Sequence, residues 1–308
     1  MKRRLAILLG ILMACNGFAL ADPAGSSMVS TEPANGGEAT ELFSYGSGHE
    51  LAAGQPEQLD LDGDGHPETV EWTVNALNEY DEEVQLAVTD GSGEEVAWHS
   101  GMLFCQRVYA VDIDSDGAIE LFISGDEMSD DYLTYCLRYA GGKLEQQSFA
   151  NVFRGNDGGE AYMNVGYGMI TAFGDGLVEL TGSQDVLGTY FGARQFEWRD
   201  GRFELADDGL WHFEHDRDDE NEWEYRALKL KQDVAATFVA DGQEAEGALK
   251  AGESILITAS DKTSVAWFVT RDGREGYLSI APDSEQGWGM LVNGVPEDEL
   301  FEFIPYAD

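Results

Sequence analysis

The chain has 308 residues, of which 59 are Asp or Glu and 18 are Lys or Arg, for a formal net charge of −41. That balance excludes binding to nucleic acid or to anionic membrane surfaces by charge attraction, because both need clustered Lys and Arg. With 43% hydrophobic residues and 7 Trp, the chain has enough apolar material to fold, in about two domains by its length.

Residues 1–21 read as an export signal: basic Lys2-Arg3-Arg4, an apolar run from Leu5, and a small-residue cleavage site at Ala19-Leu20-Ala21. A second reading takes Leu12-Met13-Ala14-Cys15 as a lipobox, with Cys15 lipidated. The apolar run continuing through Phe18 and Leu20 favours the first. Both readings place the protein outside the cytoplasm, secreted or on the cell surface. Removing the signal leaves 15 basic and 59 acidic groups, net −44. No later apolar run approaches the roughly 18 residues a membrane span needs, so no integral membrane segment is expected in the mature chain. Cys105 and Cys136 then remain, an even pair that permits one disulfide or that fills two small apolar positions in strands.

Residues 22–41 are small and polar and read as a flexible linker. From there to 213, short β-prone segments such as TVEWTV, VQLAV and VYAVDI alternate with Asp-Gly and Gly-Gly turns, and no stretch has a helical period. An all-β class is expected. One unit recurs about three times. Asp64-Gly65, Asp116-Gly117 and Asp175-Gly176 lie 52 and 59 positions apart, and each Asp is followed four residues later by Glu68, Glu120 or Glu179. Each unit later carries a hairpin signal: AVTDGSGEEV, LRYAGGKLEQ or FEWRDGRFEL. A repeat of this length with several strands predicts propeller-like blades, closed or open.

The first loop, LDLDGDGHPETVE, has Asp60, Asp62 and Asp64 at alternate positions, then Gly65, Glu68 and Glu71. This is the calcium-loop spacing D-x-[DN]-x-[DN]-G-x5-E. Calcium needs six to eight hard oxygen ligands, and a tightly coiled loop turns alternate carboxylates inward. His66 would contribute its backbone carbonyl, since imidazole is a poor ligand for calcium. The second loop repeats the offsets with Asp112, Asp114, Asp116, Gly117 and Glu120, and with the Ala118 carbonyl in place of that of His66, but Ile123 stands where Glu71 would be. Two calcium ions are therefore expected. The third loop has Thr171 and Phe173 at its first two acidic positions and is expected to be metal-free. The residues after each loop are β-prone, which favours a loop between strands over one between helices.

These D-x-D-x-D-G-x-x-E loops followed by strands resemble the FG-GAP and VCBS repeats of integrin-type β-propellers and of many exported bacterial proteins. The resemblance covers about Gln58 to Asp207. It implies calcium held between two strands of a blade by Asp60, Asp62, Asp64 and Glu68, and by Asp112, Asp114, Asp116 and Glu120. Residues 214–225 form an acidic linker in this reading. Residues 226–308 resemble a small bacterial Src-homology-three-like β-barrel, on the VTRDGREGYLSI hairpin and the apolar spacing. Such domains often bind wall peptides, and Trp267, Tyr277 and Trp288 are its candidate ligand-binding aromatics.

No nucleophile elbow, zinc-protease helix or phosphate-binding glycine loop is present. The expectation is an exported, non-catalytic calcium-binding repeat protein with an extracellular protein or cell-wall ligand as partner. The alternatives are a wall- or polysaccharide-binding protein acting through the C-terminal barrel, and a glycan or peptidoglycan hydrolase.

Overall fold

Each of the three repeats folds as a four-stranded antiparallel meander. In the computed structural model a short β1 (His49–Leu51) precedes the first, which comprises β2 (Glu57–Leu59), β3 (Glu68–Ala76), β4 (Glu82–Thr89) and β5 (Glu95–Met102). The second comprises β6 (Phe104–Val111), β7 (Glu120–Asp126), β8 (Tyr132–Ala140) and β9 (Lys143–Phe149). After β10 (Gly166–Tyr167), the third comprises β11 (Met169–Phe173), β12 (Leu177–Asp185), β13 (Thr189–Arg199) and β14 (Arg202–Leu205). The structure describes residues 48–77, 82–127, 131–150, 164–206, 209–284 and 289–307, all within one compact unit. The signal segment with Cys15, the whole of the linker 22–41, the side chain of Cys105, Asp207 and Trp288 lie outside the described residues.

Alternation of side chains explains these strands. In β3, Glu68, Val70 and Trp72 are buried while Glu71 is exposed; in β4, Val84, Leu86 and Val88 are buried. That is the period of two expected when one sheet face meets a core. Strand β7 departs from it. Its residues from Glu120 to Gly125 are all buried, because the second meander is covered on both faces. Leu121 and Ile123 enter a core with Leu61, Val70 and Leu86 of the first meander, whereas Phe122 enters one with Val178, Phe196 and Phe203 of the third. A strand covered on both sides reads as a continuous apolar run. The second and third meanders also share a parallel contact, with Phe203 opposite Phe149. The turns closing β8–β9 (Gly141-Gly142) and β13–β14 (Asp200-Gly201) have positive φ at both central residues, as two-residue hairpins that follow strand twist require.

The C-terminal region continues with β15 (Trp211–Phe213), α1 (Glu220–Tyr225), β16 (Leu228–Lys229), β17 (Val234–Ala240), β18 (Gln243–Leu249), β19 (Ser254–Ser260), β20 (Val265–Thr270) and β21 (Glu275–Pro282). It ends with β22 (Met290–Val292), β23 (Val295–Pro296) and α2 (Glu297–Leu300). Strands dominate throughout, so the class is all-β. The sheets are large and open, and none closes into a barrel. Strand β15 pairs with both β13 and β19, and Val186, Leu187, Tyr190 and Trp211 share a core with Leu228, Ile255, Phe268 and Phe301. Within the acidic stretch 214–225, Asp219 caps α1 by accepting from the Asn221 N–H, and the His215 ring is buried between Glu222 and the Ile257 carbonyl. Cys136 is a free, fully buried thiol, raised well above its ordinary pKa by burial, and it forms no disulfide.

Candidate metal centre

The acidic loops connect the first two strands of the meanders: β2 to β3, β6 to β7 and β11 to β12. In the first two the backbone is coiled by the carboxylates themselves. Asp60 Oδ2 accepts from the Gly65 N–H at 2.9 Å, Asp62 Oδ1 from Asp64 N at 3.2 Å, Asp64 Oδ1 from His66 N at 2.7 Å, and Glu68 Oε2 from Leu61 N at 2.9 Å. Fifty-two positions on, Asp112 Oδ2 accepts from Gly117 N at 3.1 Å and Asp114 Oδ1 from Asp116 N at 3.3 Å. Asp116 Oδ1 accepts from Ala118 N at 2.9 Å, and Glu120 Oε2 from Ile113 N at 3.2 Å. All four bonds recur at the same offsets. Gly65 and Gly117 take φ of +86° and +90°, a conformation that a Cβ would penalise.

This coiling gathers acids. One oxygen each from Asp60, Asp62 and Glu68 lie within 4.8 Å of one another, as do oxygens from Asp112, Asp114 and Glu120. These are the two acidic groups of this kind among the described residues, and either could hold a metal ion. In each loop the acid nine positions in is buried, since Glu68 is 5% exposed and Glu120 0%. Asp60 Oδ1, Asp112 Oδ1 and Glu120 Oε1 are buried oxygens without a hydrogen-bond donor. Burial without a donor is costly for a carboxylate, and a cation seated among the three acids would offset it. The residues therefore fit a bound hard cation.

Electrostatics point the same way. Burial raises Glu68, with Asp62 and Asp64 adding to the rise. Burial likewise raises Asp112, beside Asp116 and Asp114. Burial pushes Glu120 up to about 8, against the Ile113 N–H and Arg138, which pull it down. Asp116 goes the other way: burial acts to raise it, but the Ala118 N–H and the Arg138 guanidinium hold it below its ordinary value.

The remaining expected residues are placed as follows. Asp64 and Asp116 border the two triads and spend an oxygen on a backbone N–H. His66 is exposed and Ala118 is buried, and their N–H groups close the loops. Glu71 is exposed on the face of β3 opposite Glu68, three strand positions on, and does not join the cluster. In the third repeat, β11 continues through the positions of the missing aspartates, with a bulge at Thr171. Phe173 packs against Tyr109 and Phe122, the Thr171 hydroxyl bonds Glu179 at 2.9 Å, and Gln195 donates to Glu179 at 3.1 Å. Glu179 is thus satisfied by neutral donors.

The loops also touch each other. Ile119 N donates to the Leu61 carbonyl at 3.1 Å, and a Cβ on Gly63 would lie 3.1 Å from the Gly117 carbonyl oxygen. Two residues without local sequence signal complete the second loop: Arg138 of β8, which pairs with Asp116, and Trp198 of β13, whose indole N–H donates to Asp114 Oδ2 at 2.8 Å. No family model, curated protein or solved structure matches this chain.

Proposed function

We propose that this is an exported, non-catalytic calcium-binding repeat protein that mediates contacts at the cell surface or outside it. The observation that supports it best is the recurrence, 52 positions apart, of one acidic triad with one set of backbone bonds and a buried oxygen lacking a donor. Asp60, Asp62 and Glu68, with Asp64 beside them, would hold one ion; Asp112, Asp114 and Glu120, with Asp116, the other. Carboxylates crowded on a flexible loop suit calcium, whereas magnesium demands near-ideal octahedral geometry and gives up water reluctantly. The three meanders, each with its loop between its first two strands, support reading the repeats as blades of the FG-GAP and VCBS type.

Equilibrium dialysis of the full chain tests this. Two calcium ions per chain are expected, at dissociation constants of roughly 10⁻⁴–10⁻³ M, the range of extracellular modules. Asp60→Asn and Asp112→Asn should each remove one. Absence of bound calcium at about ten times that concentration would overturn the proposal.

A second reading, capture of a wall glycan or peptide by the C-terminal region, is favoured by one open groove of about 1030 Å³ lined by His212, Glu214, Asp216, Arg217 and Trp267. Trp267 is half-buried and its ring packs 5.1 Å from that of Tyr277. In a pull-down of the full chain on purified cell wall, Trp267→Ala should lower capture by about tenfold, the size expected of an aromatic anchor. Equal capture by both proteins counts against this reading.

A further inference from the structure

We infer that Arg138 is a built-in counter-ion of the second loop, so that the two loops bind calcium unequally and the first fills before the second. The inference rests on reading the loops as calcium sites.

It comes from comparing what faces the loop glutamate in the three repeats. In the second, Glu120 pairs directly across the β7–β8 ladder with Arg138. The guanidinium contacts Asp116, stands 3.7 Å from Asp114 Oδ2, and lies 3.5 Å from Glu120 Oε1, the fully buried oxygen without a hydrogen-bond donor. In the first, the last ladder pair before Glu68 is Thr69 with Thr89, and the residue that follows β4 is Asp90. The Asp90 carboxylate is occupied by its own turn, accepting from Ser92 and Glu94. No basic side chain among the described residues pairs with Asp60, Asp62, Asp64 or Glu68. In the third repeat the facing residue is Gln195, which bonds Glu179 in a loop that has lost its aspartates.

The three positions therefore hold an acid, a guanidinium and an amide around one strand-pair geometry. A guanidinium within 4 Å of three acids already supplies part of what a cation would supply. It also repels an incoming divalent ion at short range, where charge interactions are weakly screened. The four acids of the first loop have no counter-charge among the described residues; the four of the second carry one. Ligand charge count tunes calcium affinity, so the first loop is the tighter site.

Isothermal titration of the full chain with calcium chloride at fixed ionic strength tests this. Wild type should show two classes of site separated by about tenfold. Asp60→Asn should delete the tighter class and Asp112→Asn the weaker. Arg138→Gln should tighten the weaker class by about tenfold and leave the other unchanged, whereas Arg138→Lys, which keeps the charge but not the guanidinium fork, should fall between wild type and Arg138→Gln. Two equal classes in wild type, or an Arg138→Gln site that is unchanged or weaker, overturn the inference while leaving calcium binding intact. No binding in any variant instead sinks the calcium reading beneath it.

Discussion

Saturating calcium is expected to raise the midpoint of thermal unfolding of chelator-treated protein by about 5–10 °C. An ion that binds only the folded state stabilises it by about 1.4 kcal/mol at ten times its dissociation constant, so two sites contribute about 2.8 kcal/mol. A domain of this size gains about 2–4 °C per kcal/mol. The effect has a structural cause in both loops. Without an ion, buried oxygens of Asp60, Asp112 and Glu120 lack donors, and each loop crowds three carboxylates within 4.8 Å of one another. Calorimetry with calcium, with magnesium and with a chelator measures it. Magnesium should give the smaller shift, and an identical midpoint in all three conditions contradicts the assignment. Because Ile119 N bonds the Leu61 carbonyl, loosening one loop removes support from the other. Asp60→Asn should therefore lower the chelated midpoint little but reduce the calcium-induced rise by more than half.

The largest effect expected of a single substitution is at Phe203. Its side chain is fully buried, stacks on Phe149 at 4.4 Å, and meets Phe122 and Trp198 at 5.7 and 4.9 Å. Phe203→Ala should cost about 3–5 kcal/mol, the transfer term plus the cavity left between the second and third meanders. Phe191, in the neighbouring β13 and half exposed, provides the control: its substitution by Ala should change stability by no more than about 0.5 kcal/mol. Urea unfolding of both variants measures the difference. Calcium binding at the first loop should survive in Phe203→Ala, because that loop belongs to a different core, whereas the second loop, whose Ile113 shares the core of Phe203, should weaken. Equal costs for the two substitutions would mean that the second and third meanders do not share this core.

Much of the candidate metal centre was legible because its chemistry is local. Alternate aspartates followed by a glycine specify a coiled loop by themselves, and the four-residue step to glutamate recurs where the next strand begins. The hairpin turns were legible for the same reason. Glu71 shows where local reading misled: the twelve-residue spacing belongs to a loop followed by a helix, but a strand starts at Glu68, and a period of two turns Glu71 to the opposite face. The loss of the first two aspartates from the third loop was readable at Thr171 and Phe173, although not that the strand would continue through it. Arg138 lies 22 residues from Asp116, and only the β7–β8 register brings them together. The core joining Val186, Leu187 and Tyr190 to the C-terminal strands was invisible for a similar reason, since it depends on β15 bridging β13 and β19.

The contact between Trp198 and Asp114 has a practical consequence. An indole whose N–H is bonded to a carboxylate is a chromophore wired to that carboxylate's charge, and Asp114 belongs to the second loop alone. Near the first loop lies Tyr139, whose hydroxyl is raised by burial and then by Glu68, Asp90 and Asp62. Filling the second loop should change the emission of Trp198, and because the chain has 7 Trp, the difference between wild type and Trp198→Phe isolates that signal without attaching a label.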